Sequence, residues 1–243
     1  MLNEIHKEDC VAGMKRLPSN SVQVVVTSPP YNVSKPYKTY KDNLAYEKYK
    51  QFLKKVFSEC LRVLNPSGVL FVNISNCRDN QFKAYDIAYT IREAGFELID
   101  TIIWYKPNPR YYNTSRMLTN SYEFVFMFGK SNHYTFDKYA IGVPCIHSKK
   151  LKCRTNVWHI PKVTFNQFTN FGHCAMFPVE LPELCIKLCS KEGDTVLDPF
   201  MGAGTTAIAA KINNRNFVGF EICQEYIKIA NKRLEVVKHE ALD

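Results

Sequence analysis

A segment that follows an apolar run at residues 22–26 has the composition of a site that holds an amino group. Its residues are Ser28, Pro29, Pro30 and Tyr31. Prolines fix φ near about −65° and have no backbone N–H, so they offer carbonyl acceptors without a competing donor. The Ser28 hydroxyl and the Pro29 carbonyl can together accept both protons of one NH₂ group. Tyr31 can stack on the aromatic ring that carries this group. The segment therefore predicts chemistry at an amino nitrogen by orientation and preorganised electrostatics, without a covalent intermediate.

A second segment, residues 198–206, has glycines that allow a ligand to approach the backbone closely. It contains Asp198, Phe200, Gly202, Gly204 and Thr205. A helix predicted to begin near Thr205 directs its free N–H groups toward an anion such as a carboxylate. Asp198 is placed to accept hydrogen bonds from an ammonium group. Glu221 lies 19 residues after Gly202, at the end of the next predicted strand, where an acidic residue commonly binds ribose hydroxyls.

This second segment predicts a cofactor with a nucleoside at one end and an amino acid at the other, which describes S-adenosylmethionine. The third glycine of the dinucleotide pattern G-x-G-x-x-G is missing, because Thr205 and Thr206 follow Gly204. Taken alone, each segment has a plainer interpretation. Residues 198–206 would be an ordinary strand-to-helix turn, and residues 28–31 a rigid proline turn with an exposed aromatic.

Strands and helices alternate along most of the chain. Apolar patterns predict strands at residues 22–27, 69–74, 96–105, 122–128, 195–197 and 217–221, and helices at 46–64, 81–94, 178–190, 205–212 and 224–237. This alternation predicts an α/β fold with a mostly parallel sheet covered by helices on both faces. Ligands bind at the carboxyl ends of strands in such sheets, so we expect both segments to face one crevice.

Composition limits the class of protein. The 243 residues are 46% hydrophobic and 23% charged, which favours one globular domain over residues 1–243. The net charge of +9 favours a polyanionic partner. Nine cysteines include no C-x-x-C pair, so we expect no metal site. Their odd number and the lack of a signal peptide predict reduced thiols in the cytoplasm. No apolar run approaches the roughly 18 residues of a membrane span.

Together these residues resemble the amino-DNA methyltransferases of the permuted β class, in which the catalytic tetrapeptide precedes the cofactor loop. The resemblance extends over nearly the whole chain. It implies a Rossmann-like class I methyltransferase fold, with a mostly parallel seven-stranded sheet in circularly permuted order. It also implies S-adenosylmethionine as cofactor, double-stranded DNA with a flipped target base as substrate, and residues 28–31 as the catalytic group. The cofactor contacts that it implies are Asp9, Cys10, His173, Phe177, Pro178, Asp198, Phe200, Gly202, Gly204, Thr205 and Glu221.

The resemblance also bears on the substrate base and the partners. Serine at the first position of the tetrapeptide, here Ser28, is more typical of cytosine-N4 enzymes, and aspartate of adenine-N6 enzymes. Because serine occurs in both groups, adenine N6 stays the alternative. The family is typically the modification half of restriction systems, which implies a restriction endonuclease that acts on the same site. It also allows a homodimer.

Residues 130–170 are basic and aromatic with little periodicity, and the resemblance implies that they are an inserted target-recognition region. Phosphate contacts are predicted for Lys35, Lys38, Lys149, Lys150, Lys152 and Arg154. A solvated basic loop is the alternative for this cluster. Other classes stay open: a cytosine-C5 enzyme with Cys145 after Pro144 as nucleophile, an RNA or protein amide methyltransferase, a non-catalytic nucleic-acid binder, and a nicotinamide-dependent oxidoreductase.

Overall fold

The computed structural model describes residues 1–35, 37–111, 116–145, 150–163 and 176–240, with side chains up to residue 237. Their strands are β1 (Glu4–Lys7), β2 (Val22–Thr27), β3 (Leu64–Ile74), β4 (Glu97–Tyr105), β5 (Tyr122–Gly129), β6 (Val143–Pro144), β7 (Leu151–Lys152), β8 (Val157–His159), β9 (Thr195–Asp198) and β10 (Asn216–Glu221). Their helices are α1 (Cys10–Met14), α2 (Tyr46–Val63), α3 (Lys83–Glu93), α4 (Glu180–Cys189), α5 (Thr205–Ile212) and α6 (Gln224–Glu240).

One sheet forms the centre of the molecule, with the strand order β1-β10-β9-β2-β3-β5-β4-β8. Strand β5 runs antiparallel to both of its neighbours, and every other neighbouring pair is parallel. The mostly parallel α/β sheet is thus confirmed. The number of seven strands is corrected to eight within the described residues, because the short strand β8 extends the sheet beside β4.

Strand β8 comes from the region 130–170, which carries no clear strand pattern. Its pairing places Trp158 beside Trp104 of β4. Trp158 is almost fully buried, while the residues on either side of it are exposed. Strand β8 is therefore attached to β4 by backbone hydrogen bonds and by the burial of this one aromatic side chain. The same region also forms the two-stranded hairpin of β6 and β7, which is separate from the main sheet.

Helices cover both faces of the sheet, as the alternation of elements predicts. Successive residues of a strand point to opposite faces, so Val24 and Val25 belong to different hydrophobic clusters. The cluster around Val25 includes residues of α1, α2 and α3, among them Met14, Leu53 and Ile87. The cluster around Val24 includes residues of α4, α5 and α6, among them Leu184, Ala207 and Leu234. The two cores hold β2 and β9 rigidly at the centre of the sheet.

The helix boundaries differ slightly from those predicted. Helix α3 begins at Lys83 rather than residue 81, and α4 spans Glu180–Cys189 rather than 178–190. Strand β3 starts directly at Leu64, where α2 ends, rather than at the predicted residue 69. None of the helices in the described ranges is both long and apolar enough to cross a membrane.

Candidate active site

A cavity of about 1330 Å³ lies at the carboxyl ends of β2, β9 and β10. From the first segment it is lined by Ser28, Pro29, Pro30 and Tyr31. From the second segment it is lined by Asp198, Phe200, Gly202 and Thr205. The two segments, far apart in the chain, thus face one crevice because β2 and β9 are neighbours in the sheet.

A buried carboxylate joins the second segment to the end of β2, directly before the first segment. Asp198 is 2% exposed, and its Oδ1 accepts a hydrogen bond from Thr27 Oγ1 at 2.7 Å. Its Oδ2 accepts from Thr206 Oγ1, also at 2.7 Å. Burial raises the pKa of Asp198 to about 6, and the two threonine hydroxyls oppose this rise. Asp198 lines the cavity, but both of its oxygens already have partners within the protein, so its predicted contact with an ammonium group stays a prediction.

Glu221 is held at the end of β10 by the backbone of two loops. Its Oε2 accepts from the backbone N–H of Gly202 at 2.9 Å, and its Oε1 accepts from that of Cys223 at 2.7 Å. Burial raises the pKa of Glu221 above its usual value, while these backbone donors lower it. A carboxylate has about four acceptor positions, so Glu221 keeps capacity for hydroxyl donors in the cavity. Gly202 itself has a φ of +53°, in the left-handed region that glycine adopts without strain.

Gly204 packs against a helix instead of lining the cavity. Its φ is +79°, and a Cβ built on it would lie 2.7 Å from the Cβ of Ala230 in α6. The glycine therefore lets the start of α5 lie close to α6. Pro178 does not line the cavity either, and its carbonyl accepts a hydrogen bond from the N–H of Leu181 at the start of α4. The structure supplies a packing reason for Gly204 and a hydrogen bond at the start of a helix for Pro178, and the contact of either residue with a cofactor stays a prediction.

The remaining predicted cofactor residues divide into two groups. Asp9, Cys10 and Phe177 line the cavity. The Asp9 carboxylate also caps α1, since its Oδ1 accepts from the N–H of Ala12 at 3.0 Å. His173 lies outside the described residues.

The first segment is held by hydrogen bonds on both sides. Tyr49, which is fully buried in α2, donates from its hydroxyl to the Pro30 carbonyl at 2.7 Å. The Tyr31 hydroxyl donates to Glu123 Oε2 at 2.8 Å, and Ser28 Oγ donates to the Tyr31 hydroxyl oxygen at 3.3 Å. Burial and the nearby Glu123 carboxylate raise the pKa of Tyr31 well above its usual value, so Tyr31 is a neutral phenol.

Two buried charged side chains hold the loop that follows Tyr31. The Asp42 carboxylate accepts from the backbone N–H groups of Asn32, Val33 and Lys35 at 2.8, 3.0 and 3.1 Å. Lys83 Nζ donates to the carbonyls of Tyr31 and Asn32 at 3.0 and 3.1 Å. Asp42 and Lys83 are 2% and 4% exposed. The sequence did not single out either residue, because no local pattern links them to the tetrapeptide.

Three further polar residues of the cavity were also missed: Asn73, Lys106 and Glu123. Asn73 lies near the end of β3, Lys106 directly follows β4, and Glu123 lies near the start of β5. Because β5 is antiparallel, its first residues reach the same edge of the sheet as the last residues of β3. A sequence-based prediction of that antiparallel pairing would have pointed to Glu123. The cations Arg78, Arg110 and Lys162 line the cavity as well.

The predicted DNA-binding cations are dispersed. Lys35 lines the cavity, and Lys38 forms an ion pair with Glu225 of α6. Lys150, Lys152 and Arg154 belong to the β6–β7 hairpin and its end, and none of them lines the cavity. The Arg154 Nε donates to the carbonyl of Ile141 at 3.3 Å, and Lys149 lies outside the described residues. Contact of these residues with phosphate stays a prediction.

The alternative of a cysteine nucleophile at Cys145 has no support in the residues that line the cavity. Pro144 and Cys145, the pair that suggested a cysteine nucleophile, belong to the hairpin and do not line the cavity. Within the described ranges, no group of three or more His, Cys, Asp or Glu side chains could hold a metal ion.

Sequence comparisons identify relatives over most of the chain. A family model described as DNA methylase matches residues 22–232. The type II methyltransferase M.Cfr9I of Citrobacter freundii is 32% identical over 262 residues, covering 93% of this chain and 86% of the relative. The type II methyltransferase M.HpaI of Haemophilus parainfluenzae is 30% identical, covering 93% of this chain and 72% of the relative.

Solved structures share the fold. The cytosine-N4-specific PvuII DNA methyltransferase aligns with a TM-score of 0.80 at 21% identity, over 97% of this chain and 89% of that protein. The M1.HpyAVI–SAM complex aligns with a TM-score of 0.69 at 26% identity, over 95% of this chain and 98% of that protein.

Proposed function

This chain belongs to the DNA methylase family, and from that premise we propose that it methylates N4 of a cytosine flipped out of double-stranded DNA. The enzyme is a DNA methyltransferase that uses S-adenosylmethionine. The choice of an amino nitrogen rests on one observation: the hydrogen-bond acceptors of residues 28–31 share one cavity with the second segment, residues 198–206. The hydrogen bond between Thr27 and Asp198 keeps these two parts of the cavity in a fixed relation.

The residues of the chain fit S-adenosylmethionine. Glu221, fixed by two backbone donors, has remaining acceptor capacity for ribose hydroxyls, and Gly202 has the positive φ of a backbone that a ligand can approach. Asp9, Cys10 and Phe177 would complete the binding surface. When bound, the cofactor supplies an electrophilic methyl group.

The corner of the first segment would activate the target amine. The lone pair of an exocyclic amino group is delocalised into the ring of the base, so the nitrogen is a weak nucleophile. Ser28 Oγ and the Pro29 carbonyl would accept its two protons and favour a pyramidal nitrogen. Tyr31 would contact the ring of the flipped base, whose extrusion costs a few kcal/mol of stacking. The work of this site is orientation and preorganised polarity.

Cytosine is proposed over adenine because Ser28 is the first residue of the tetrapeptide. The same acceptors would suit N6 of adenine, which is the second candidate. DNA that has been incubated with the enzyme and isotopically labelled S-adenosylmethionine would be digested to nucleosides and analysed by mass spectrometry. We expect labelled N4-methylcytosine. Labelled N6-methyladenine would replace the cytosine assignment, and the absence of any labelled nucleoside would contradict the proposed activity.

The chain would act as one domain over residues 1–243 in the permuted order, with residues 130–170 as its target-recognition region. Support comes from the hairpin of β6 and β7, which projects basic residues outside the main sheet. Exchange of residues 130–170 for those of a relative with another recognition sequence should transfer that sequence preference to methylation. An unchanged preference would contradict this role.

The type II names of the relatives support a partner endonuclease that cuts the same DNA site. Plasmid DNA methylated by the enzyme should then resist that nuclease. We also propose a homodimer, testable by sedimentation at micromolar concentration, in which a purely monomeric boundary would contradict it. A cytoplasmic location is proposed from the buried free thiols of Cys10, Cys60, Cys185 and Cys189.

A further inference from the structure

A chain of polar contacts runs beneath the first segment. Ser28 Oγ lies 3.3 Å from the Tyr31 hydroxyl oxygen, which lies 2.8 Å from Glu123 Oε2. Lys106 Nζ donates to the other oxygen, Glu123 Oε1, at 2.9 Å. Asn73 Nδ2 donates to Glu123 Oε2 at 3.0 Å. The Lys106 and Glu123 side chains are only 14% and 18% exposed, so this ion pair is largely shielded from water.

The Glu123 carboxylate fixes the direction of every hydrogen in this chain. An ionised carboxylate only accepts hydrogen bonds, and a phenol has a single hydrogen to donate. The Tyr31 hydrogen therefore points to Glu123, its shortest and charged partner, rather than to the two neutral oxygens of Asn73 at 3.2 and 3.3 Å. The Tyr31 oxygen is left as an acceptor, and it receives the hydrogen of Ser28.

The consequence for Ser28 is that its one hydrogen is already used. Only lone pairs of its Oγ can face the cavity. A serine with a freely rotating hydroxyl could instead donate to the lone pair of the target nitrogen, which is the pair that must attack. The direction of the Ser28 hydroxyl hydrogen thus decides whether Ser28 activates the amine or blocks its lone pair.

We propose that Glu123, supported by Lys106, is a positioning residue that makes Ser28 an acceptor-only group through the Tyr31 hydroxyl. This inference rests on the proposed transfer to an exocyclic amine, and it deepens that proposal. It applies equally to an amino group of cytosine or adenine. No proton moves along the chain of contacts, because the arrangement only orients hydrogens.

The variant Glu123→Gln tests the inference with little change in size. The glutamine amide can donate to the Tyr31 oxygen, so Tyr31 can donate to Ser28, and Ser28 is then free to present its hydrogen to the cavity. We expect the single-turnover rate of methyl transfer to fall about 10- to 100-fold. The dissociation constants for S-adenosylmethionine and for DNA should stay within about twofold of wild type. Glu97→Gln, at the exposed start of β4, is the matched control and should keep the wild-type rate.

A double-mutant cycle with Tyr31→Phe separates positioning from a general structural effect. Phenylalanine keeps the ring but removes the hydroxyl through which Glu123 acts. In that background Glu123→Gln should cause no further loss of rate beyond about twofold. An equal loss in both backgrounds, or an undiminished rate in Glu123→Gln alone, would overturn the inference. If circular dichroism shows that Glu123→Gln is unfolded, the Tyr31→Phe and Lys106→Met variants provide the test. Each should transfer methyl groups more slowly than wild type while it keeps its affinity for the cofactor. A wild-type rate in both variants would overturn the inference.

The result is independent of the base assignment. Labelled N6-methyladenine from the wild-type enzyme would remove the cytosine proposal, but the rates of the variants would still be measured at the amine that is methylated. If the wild-type enzyme transferred no methyl group to DNA, the proposed function itself would have failed.

Discussion

Substitution of Gly204 by alanine offers a test of how the cofactor loop is positioned. Gly204 has a φ of +79°, and the added Cβ would lie 2.7 Å from Ala230 Cβ and 3.2 Å from Ala230 Cα. The left-handed backbone costs a residue with a side chain about 1–2 kcal/mol. Overpacking against α6 adds about 1–3 kcal/mol. We therefore expect Gly204→Ala to lower the free energy of unfolding by about 2–5 kcal/mol.

Gly193 provides a matched control, because it shares the backbone conformation without the crowding. Its φ is +82°, and a Cβ there would meet nothing within 4 Å. Gly193→Ala should thus lose only the backbone contribution of about 1–2 kcal/mol. Urea unfolding measures the difference in unfolding free energy between the two variants, provided that both keep the same dependence of this free energy on urea concentration. The affinity for S-adenosylmethionine, from calorimetry, should fall at least about tenfold in Gly204→Ala alone, since relief of the clash displaces the loop that carries Gly202. Equal stability losses together with equal affinities would refute the packing argument.

Three other predictions test the buried polar groups and the basic surface. Burial raises the pKa of Asp198 from 3.8 to about 6. The stability that its protonated carboxyl group contributes is therefore fully present below pH 3.8 and is lost as the pH rises through 6. Relative to Asp198→Asn, wild type should therefore lose up to about 3 kcal/mol of unfolding free energy between about pH 4 and 7, and a constant difference in urea unfolding would contradict this. Asp42→Ala leaves three backbone N–H groups without their acceptor, so the free energy of unfolding should fall by at least about 1–3 kcal/mol and methyl transfer at least about tenfold; unchanged melting and activity would contradict the role of Asp42. DNA affinity should fall steeply with salt, with a slope reduced by about 1 in Lys152→Ala, whereas a flat response in binding titrations would exclude the basic residues as the contact surface.

Most of the sheet was predictable from local patterns. The β-branched run of β2 and the apolar positions of α2, spaced three or four residues apart, specify their elements without tertiary information. Strand β8 was not predictable, because its three residues contain one buried side chain and its pairing depends on the exposed edge of β4. The strand forms through tertiary contacts, namely the burial of Trp158 and the backbone hydrogen bonds to β4.

The residues of the site also fall into those that local patterns predict and those that depend on the fold. Residues 28–31 and Gly202 could be predicted to face one cavity because their motifs occupy consecutive or closely spaced positions directly after two strands. Glu123 and Lys106 could not, since they reach the cavity only through the antiparallel direction of β5 and the length of β4. Asp42 and Lys83 lie in separate loop and helix segments and act on backbone groups, so their side chains carry no recognisable motif. Gly204 shows the reverse case: its position in the glycine pattern was evident, but its close neighbour Ala230 became evident only from the fold.

The adjacency of β2 and β9 has a consequence for biosynthesis. Thr27 and Asp198, which are bonded in the finished enzyme, are 171 residues apart in the chain. At a translation rate of about 5–20 residues per second, roughly 10–35 s pass between the synthesis of β2 and that of its neighbour β9. During that time one hydrogen-bonding edge of a strongly apolar strand lacks its native neighbour, a state that invites association between nascent chains.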